Sequence, residues 1–264
     1  MACTLSALHV FPLKSGAALS PDQVEVTPLG LRHDRRWMLV DADGRFISGR
    51  QHSKLVRLQV RPTTDALQLG IEGRWHAVQQ PTQVERIQVS VWRDSVSAAH
   101  WPGADQALSD WLGQPVRLVH RDESATRAVD ANYAQAGDQV SFADGFPILL
   151  LSTAAVDNLN ARLAEPVTAL NFRPNLLIDG GAPHAEDQWK RIRIGEIEFD
   201  VVKPCTRCVF TTVDPIVGVR RGDGEPLQTL KDYRRNASGI TFGQNLIPRG
   251  SGLLRIGDPV SVLQ

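Results

Sequence analysis

Apolar and polar positions alternate with a period of two along much of this chain, in short runs closed by Gly, Pro and Asp. Such a period places successive side chains on opposite faces of a strand. Leu5 to Leu13, Arg36 to Asp41, Val56 to Val60, Ile87 to Trp92, Val116 to His120, Ile192 to Val202 and Leu253 to Leu263 are therefore expected as strands. The longest apolar run, Phe146 to Leu151, is of strand length, and Leu176-Leu177-Ile178 is a further apolar strand. Asp41-Ala42-Asp43-Gly44 is turn chemistry between Trp37–Val40 and Phe46-Ile47, which predicts a hairpin. Gly222-Asp223-Gly224 marks another turn.

Helical periodicity is confined to three segments. Asp105 to Leu112 carries Ala107, Leu108 and Trp111 with Gly113 as a stop. Thr153 to Leu163 gathers Ala154, Val156, Leu159 and Leu163 near one face behind Ser152 as N-cap. Pro226 to Arg234 is a third, short helix. Many strands with few helices predict a mainly β, barrel-rich fold of α+β character rather than alternating βαβ units. The polar, Ala-rich stretch Asp122 to Asp138 is the best boundary, so the expected division is a β domain over 1–125 and a second β-rich domain over 126–264.

Composition excludes some classes. Across 264 residues, 29 basic side chains balance 29 acidic ones, which is not the profile of a basic nucleic-acid or membrane-surface protein. The N-terminal Met1-Ala2-Cys3-Thr4-Leu5-Ser6-Ala7 has no signal-peptide character, and no apolar window reaches the roughly 18–20 residues of a membrane span. The three cysteines, Cys3, Cys205 and Cys208, cannot build a disulfide framework, so a reducing, cytoplasmic compartment is expected.

Lys203-Pro204-Cys205-Thr206-Arg207-Cys208 is the sharpest local signal. A CxxC pair serves as half of a zinc site, but the only other cysteine is Cys3 and none of the seven histidines forms an H-x₃₋₅-H pair. It also serves as a redox dithiol, but that motif draws on a following helix, and Val209-Phe210-Thr211-Thr212-Val213 reads as strand. A single thiolate ligand to a metal, with Arg207 favouring the charged sulfur, is the third reading, and two inert cysteines the fourth. Phe11-Pro12-Leu13-Lys14-Ser15-Gly16 ends a strand with a cation, a hydroxyl and a glycine that suit an oxyanion, without the spacing of a Walker loop. Arg35 and Arg36 point to opposite faces, one toward a pocket and the other to solvent. Asn171-Phe172-Arg173-Pro174-Asn175 sets two amides around a guanidinium at a strand entrance, able to read a ring edge and a phosphate or simply to close a turn.

In this order the motifs resemble the MOSC family, in the form that joins an N-terminal MOSC-associated β-barrel to a MOSC β-barrel domain. The likeness is to bacterial YcbX-type proteins and mitochondrial amidoxime reducing components. It also runs through Gly30-Leu31-Arg32-His33-Asp34-Arg35-Arg36-Trp37, Val91-Trp92-Arg93-Asp94, Phe142-Ala143-Asp144-Gly145-Phe146-Pro147, Thr211-Thr212-Val213-Asp214-Pro215, Phe242-Gly243-Gln244-Asn245 and Gly257-Asp258-Pro259-Val260. The resemblance implies a molybdenum–molybdopterin cofactor between the two parts, with Cys208 as metal ligand and Cys205 as neighbour. By position it implies Lys14, Ser15 and Arg35 at the phosphate end. Arg173, Asn175, Asn171 and the backbone of Asp144, Gly145 and Phe146 would line the rest, with Arg207 beside the thiolate.

The activity implied is two-electron reduction of N-hydroxylated or related N–O small molecules through an open, fairly apolar mouth. A separate flavin, haem or iron–sulfur protein would supply electrons, because neither the C-terminal iron–sulfur domain nor the membrane anchor of some relatives is expected here. Asp214 is the nearest carboxylate to Cys208 in sequence and is a proton relay or a turn residue. The competing function is a carrier of molybdenum cofactor or of sulfur.

Overall fold

The computed structural model describes residues 3–264; Met1 and Ala2, at the head of the stretch read above as lacking signal character, lie outside them. The fold is mainly β. Seven strands close into a barrel in the order Ile148–Ser152, Leu176–Asp179, Cys3–Leu8, Pro259–Val262, Arg191–Ile194, Ile197–Thr206 and Gly239–Pro248, the last pairing back to the first. All of these pairings are antiparallel except Ile148–Ser152 with Leu176–Asp179, which is parallel. Leu5, Leu8, Ile148, Leu150, Leu176, Ile178, Ile192, Ile194, Phe199 and Leu246 fill its interior. Each such side chain contributes roughly 1.5–3 kcal/mol by leaving water.

The first part of the chain builds an open half-barrel. Trp37–Val40, Arg117–His120, Asp94–His100 and Arg86–Val91 form one antiparallel sheet, and Gln59–Pro62, Ala66–Ile71 and Arg74–Gln79 another. They share a core of Trp37, Leu39, Val60, Leu67, Leu69, Trp101 and Leu118 against the helix Asp105–Leu112. The two parts are interlaced rather than strung together. Cys3–Leu8 sits inside the seven-stranded barrel, and Gln23–Thr27 pairs with Gly252–Arg255.

Local chemistry explains where the strand readings change. Ile192 to Val202 is not one strand but a hairpin: Gly195, at φ 56°, turns Arg191–Ile194 back onto Ile197–Thr206. Leu253 to Leu263 is broken at Gly257, φ 93°, into Gly252–Arg255 and Pro259–Val262, which pair with different strands and not with each other. Leu5 to Leu13 pairs as a strand only through Leu8. In Val56 to Val60, Val56 and Arg57 belong to the 3-10 turn Ser53–Arg57, and the strand starts at Gln59. Val209–Thr212 is a 3-10 turn, not a strand. The hydroxyls of Thr211 and Thr212 donate to the carbonyls of Cys208 and Val209 at 2.9 and 2.8 Å, and that local bonding displaces the β-branched preference for extension.

The three helices occur at Asp105–Leu112, Thr153–Asn160 and Leu227–Tyr233. Gly113 takes the left-handed stop at φ 79°, and the Ser152 hydroxyl caps Ala155 N–H at 3.2 Å. No helix among the described residues is long and apolar enough to cross a membrane.

Candidate functional site

A cleft of about 450 Å³ opens where the end of Phe11–Ser15, the turn at 46–50, the Val91–Asp94 hairpin and the segments 143–146, 171–175 and 203–211 meet. Lys14, Ser15, Arg35, Asp144, Gly145, Phe146, Asn171, Arg173, Asn175, Arg207 and Cys208 all line it. Asp214 does not. Its carboxylate instead accepts from Ile216 and Val217 N–H at 2.8 and 2.9 Å, closing a turn. Cys205 lines the cleft with Cys208, both as free thiols, and among the described residues no metal-binding cluster of three or more His, Cys, Asp or Glu forms.

Arg35 and Arg36 do face different sides, but not through strand alternation: Arg35 sits in a turn at φ 48°, ahead of the strand Trp37–Val40. Arg36, however, is not solvated: its side chain is 13 % exposed and bonds to the Arg121 carbonyl at 2.7 Å. Arg35 faces the cleft, with Nη1 donating to Asp34 Oδ2 at 2.6 Å and to Asn175 Oδ1 at 3.0 Å, and Nη2 to the Arg173 carbonyl at 3.0 Å. Arg35 and Arg173 both stack on the Phe11 ring, 4.3 and 4.1 Å from its centroid. Burial, followed by the charge of Arg35, lowers Arg173 to about 9.

Lys14 is buried, and its amine donates to the Phe142 carbonyl at 2.8 Å and to Asp144 Oδ1 at 2.6 Å. Lys14 first, then Arg50 and the Trp92 indole N–H, hold the exposed Asp144 carboxyl below the ordinary carboxylate range. Burial pushes Lys14 down, with Asp144 opposing. The thiol of Cys205 is pushed up by burial, with Arg207 opposing. Arg207 itself spans two elements, donating to the carbonyls of Phe242 at 2.8 Å and Phe172 at 3.0 Å.

The amides serve as frame. Asn171 Nδ2 donates to the carbonyls of Thr211 and Val213 at 3.2 and 3.3 Å, tying the Arg173 segment to the Cys208 turn. Asn175 Oδ1 accepts from Arg35 and from Leu149 N–H at 3.1 Å, and its Nδ2 donates to the His9 carbonyl at 3.1 Å.

Sequence reasoning did not assign Phe46, Ser48, Arg50, Trp92, Lys203, Phe210, Thr211 or Asn245, which also line the cleft. Trp92 carried a signal, being a large aromatic in a hairpin turn. Its N–H donates to Asp144 at 3.2 Å and its ring lies 4.3 Å from the Arg50 guanidinium.

Charge and strain mark the cleft. Lys14, Arg35, Arg50, Arg173, Lys203 and Arg207 line it against one carboxylate, Asp144, in a chain of zero formal net charge. More of the lining is apolar than polar, as expected, through Phe46, Trp92, Phe146 and Phe210, with the cations set among these rings. Ser15, Arg35, Trp92 and Arg173 hold left-handed backbone at φ 67, 48, 57 and 56°. Non-glycine residues adopt that conformation where surrounding structure imposes it, and such strain gathers at functional sites. Arg173 and Arg207 each also keep one guanidinium nitrogen, Nη2, buried without a partner.

Two family models match the chain, the MOSC N-terminal beta barrel domain over residues 2–115 and the MOSC domain over residues 137–261. This chain belongs to the MOSC family. It is 34 % identical over 281 residues to mitochondrial amidoxime-reducing component 1 of Mus musculus, a match covering 98 % of this chain and 82 % of that one. The Homo sapiens protein of the same name is 33 % identical over 285 residues, covering 98 % and 83 %. Molybdenum cofactor sulfurase of Oryza sativa is 27 % identical over 268 residues, covering 90 % of this chain and 32 % of that longer protein. These matches run over 90–98 % of this chain.

Proposed function

We propose that this MOSC protein is a molybdenum-cofactor-dependent reductase of N-hydroxylated or related N-oxygenated small molecules. The observation that carries the reading is the convergence of six cations and the Cys208 thiol on one cleft, in a chain akin to amidoxime-reducing components. A phosphate-bearing pterin with a thiolate-ligated metal needs an oxyanion cradle and one soft ligand. The residues fit that demand: Lys14, Ser15, Arg35 and Arg173 would hold the phosphate end, and Cys208 would bind the metal. The bound group would supply two-electron removal of oxygen from the substrate.

The chain's own residues do the remaining work. Asp34 balances Arg35, and Asn175 fixes that guanidinium in place. Asp144 keeps the buried Lys14 amine directed at the 142–144 segment, and Arg127 fastens the same segment through the carbonyls of Ser141 and Ala143 at 2.8 and 2.5 Å. Asn171 keeps the Cys208 turn in register with Arg173. Phe210 and Trp92 supply aromatic walls to the cleft. Substrate is a small molecule, and electrons come from a separate donor protein. The three free thiols suit a reducing, cytoplasmic setting.

Expression in a molybdate-fed, cofactor-competent host tests the reading. Wild-type protein is expected to carry near-stoichiometric molybdenum and pterin and to turn over an amidoxime with a reduced viologen dye. Cys208→Ser is expected to lose the metal while staying folded. Cofactor content without turnover would favour the carrier reading to which the sulfurase relative points, and a folded protein with neither metal nor pterin would end both.

A further inference from the structure

Arg36 lines a second cavity of about 450 Å³ that shares no lining residue with the cleft on the Arg35 side. It gathers Arg32, His33, Arg36, His120 and Arg121, and Glu123 is the single carboxylate among its lining residues. Trp37 and Trp101 wall it. The Trp37 ring stacks on His120 with centroids 4.5 Å apart, and Trp101 meets His120 edge-on at 5.9 Å.

Arg121 is the telling residue. Its side chain is 2 % exposed, yet its partners are the Asp122 carbonyl at 3.3 Å and the Gln139 amide oxygen, neither of them charged. Its Nε has no partner, and neither does the buried indole Nε1 of Trp37. A buried guanidinium without a counter-charge is costly, and proteins retain one where an anion completes it. Arg36 meets Glu123 at 2.8 Å, but that carboxylate is 87 % exposed and so offsets little of the buried charge.

The titration of the cluster agrees with the geometry. Burial first, then Arg36, lowers His120 to about 4 and Arg121 to about 10, and burial, Arg32 and Arg36 lower His33. His33, His120 and Arg121 are each disfavoured by a neighbouring cation as well as by burial, so an anion entering the cavity relieves these three together.

We propose that this cavity is a second binding site, for a small oxyanion, carboxylate or phosphate, held by Arg36 and Arg121 beside the Trp37–His120 stack. The site is independent of the cofactor reading and stands or falls without it.

The test titrates purified protein at constant ionic strength with inorganic phosphate in one arm and benzoate in the other. The imidazole signals of His33 and His120, assigned with His120→Phe, report by NMR. The groups facing His120 are His33, Arg36, Arg121, Asp122 and Glu123. A bound anion is expected to shift His120 saturably toward its protonated form. Arg36→Gln is expected to weaken the response by about 10-fold or more. Glu123→Gln, at an exposed side chain, is expected to tighten it by about 2- to 5-fold, a gain that misfolding cannot imitate. Lys14→Gln, in the other cleft, is expected to leave it unchanged. Saturation by either anion supports the site, and the tighter of the two names the ligand's chemistry. No saturable response to either at millimolar concentration, no gain with Glu123→Gln, or loss of the response with Lys14→Gln would overturn the proposal.

Discussion

Gly49 offers a direct test of how the two parts are fitted around the Cys208 turn. A Cβ at this position would lie 2.5 Å from both Cε2 and Cζ of Phe210 and 3.1 Å from Cβ of Ser15. Ordinary contact begins near 3.4 Å, so the Phe210 ring or the 48–49 loop must retreat by about 1 Å. Gly49 is not among the residues in the left-handed region, so alanine meets no backbone strain and the clash is the whole effect. Overpacking of this kind costs about 1–3 kcal/mol. Phe210 is only partly buried and can swing, which favours the lower end. Gly49→Ala is therefore expected to lower the urea midpoint by the equivalent of about 1 kcal/mol with an unchanged m-value. In a Phe210→Ala background the same substitution should cost less than about 0.3 kcal/mol, because the obstructing ring is gone. An equal cost in both backgrounds would refute the claim that this contact sets the fit.

Two more outcomes follow from buried charge. His120 takes a proton near pH 6.5 when unfolded but only near 4 when folded, so the unfolded state binds more protons in between and stability falls as pH drops from about 6.5 toward 4. His120→Phe keeps a ring against Trp37 and should lessen that fall by on the order of 1–3 kcal/mol; urea midpoints at pH 7 and pH 5 that move equally in both proteins would contradict it. Asp34 is 1 % exposed and accepts from Phe11 N–H at 2.8 Å as well as from Arg35. Asp34→Asn leaves Arg35 buried beside Arg173 without its counter-charge and should cost about 3–5 kcal/mol in equilibrium unfolding, whereas a loss below about 1 kcal/mol would show that Asp34 is not the balancing group.

Much of the secondary structure was legible because it rests on neighbours in the chain. Ser152 caps its helix and Gly113 ends another through contacts within a few residues, so local pattern suffices. The same holds for the hairpin at Asp41 to Gly44, where the Asp41 carboxylate accepts from Asp43 and Arg45 N–H at 2.9 Å each. Strands whose alternation is blurred were harder. Arg74–Gln79 buries only Val78, and Gly239–Pro248 is buried on both faces at several positions, so neither displays a clean period of two.

The sequence by itself determined the mainly β character, the family and the residue types that converge on the cleft, because each is written in local pattern or motif order. Only the tertiary structure decided which faces those residues share. Cys3–Leu8 joins a barrel whose other strands come from the second half, and that closure carries the Lys14–Ser15 turn toward Arg173, Arg207 and Cys208. Tertiary contact also ties the two cleft-lining amides into the frame, since Asn171 and Asn175 bond to carbonyls 40 and 166 residues away. It set Arg36 against a second cavity instead of water, and it left Arg121 buried without a carboxylate. Electrostatic balance depends on distance in space, and separation along the chain does not encode it.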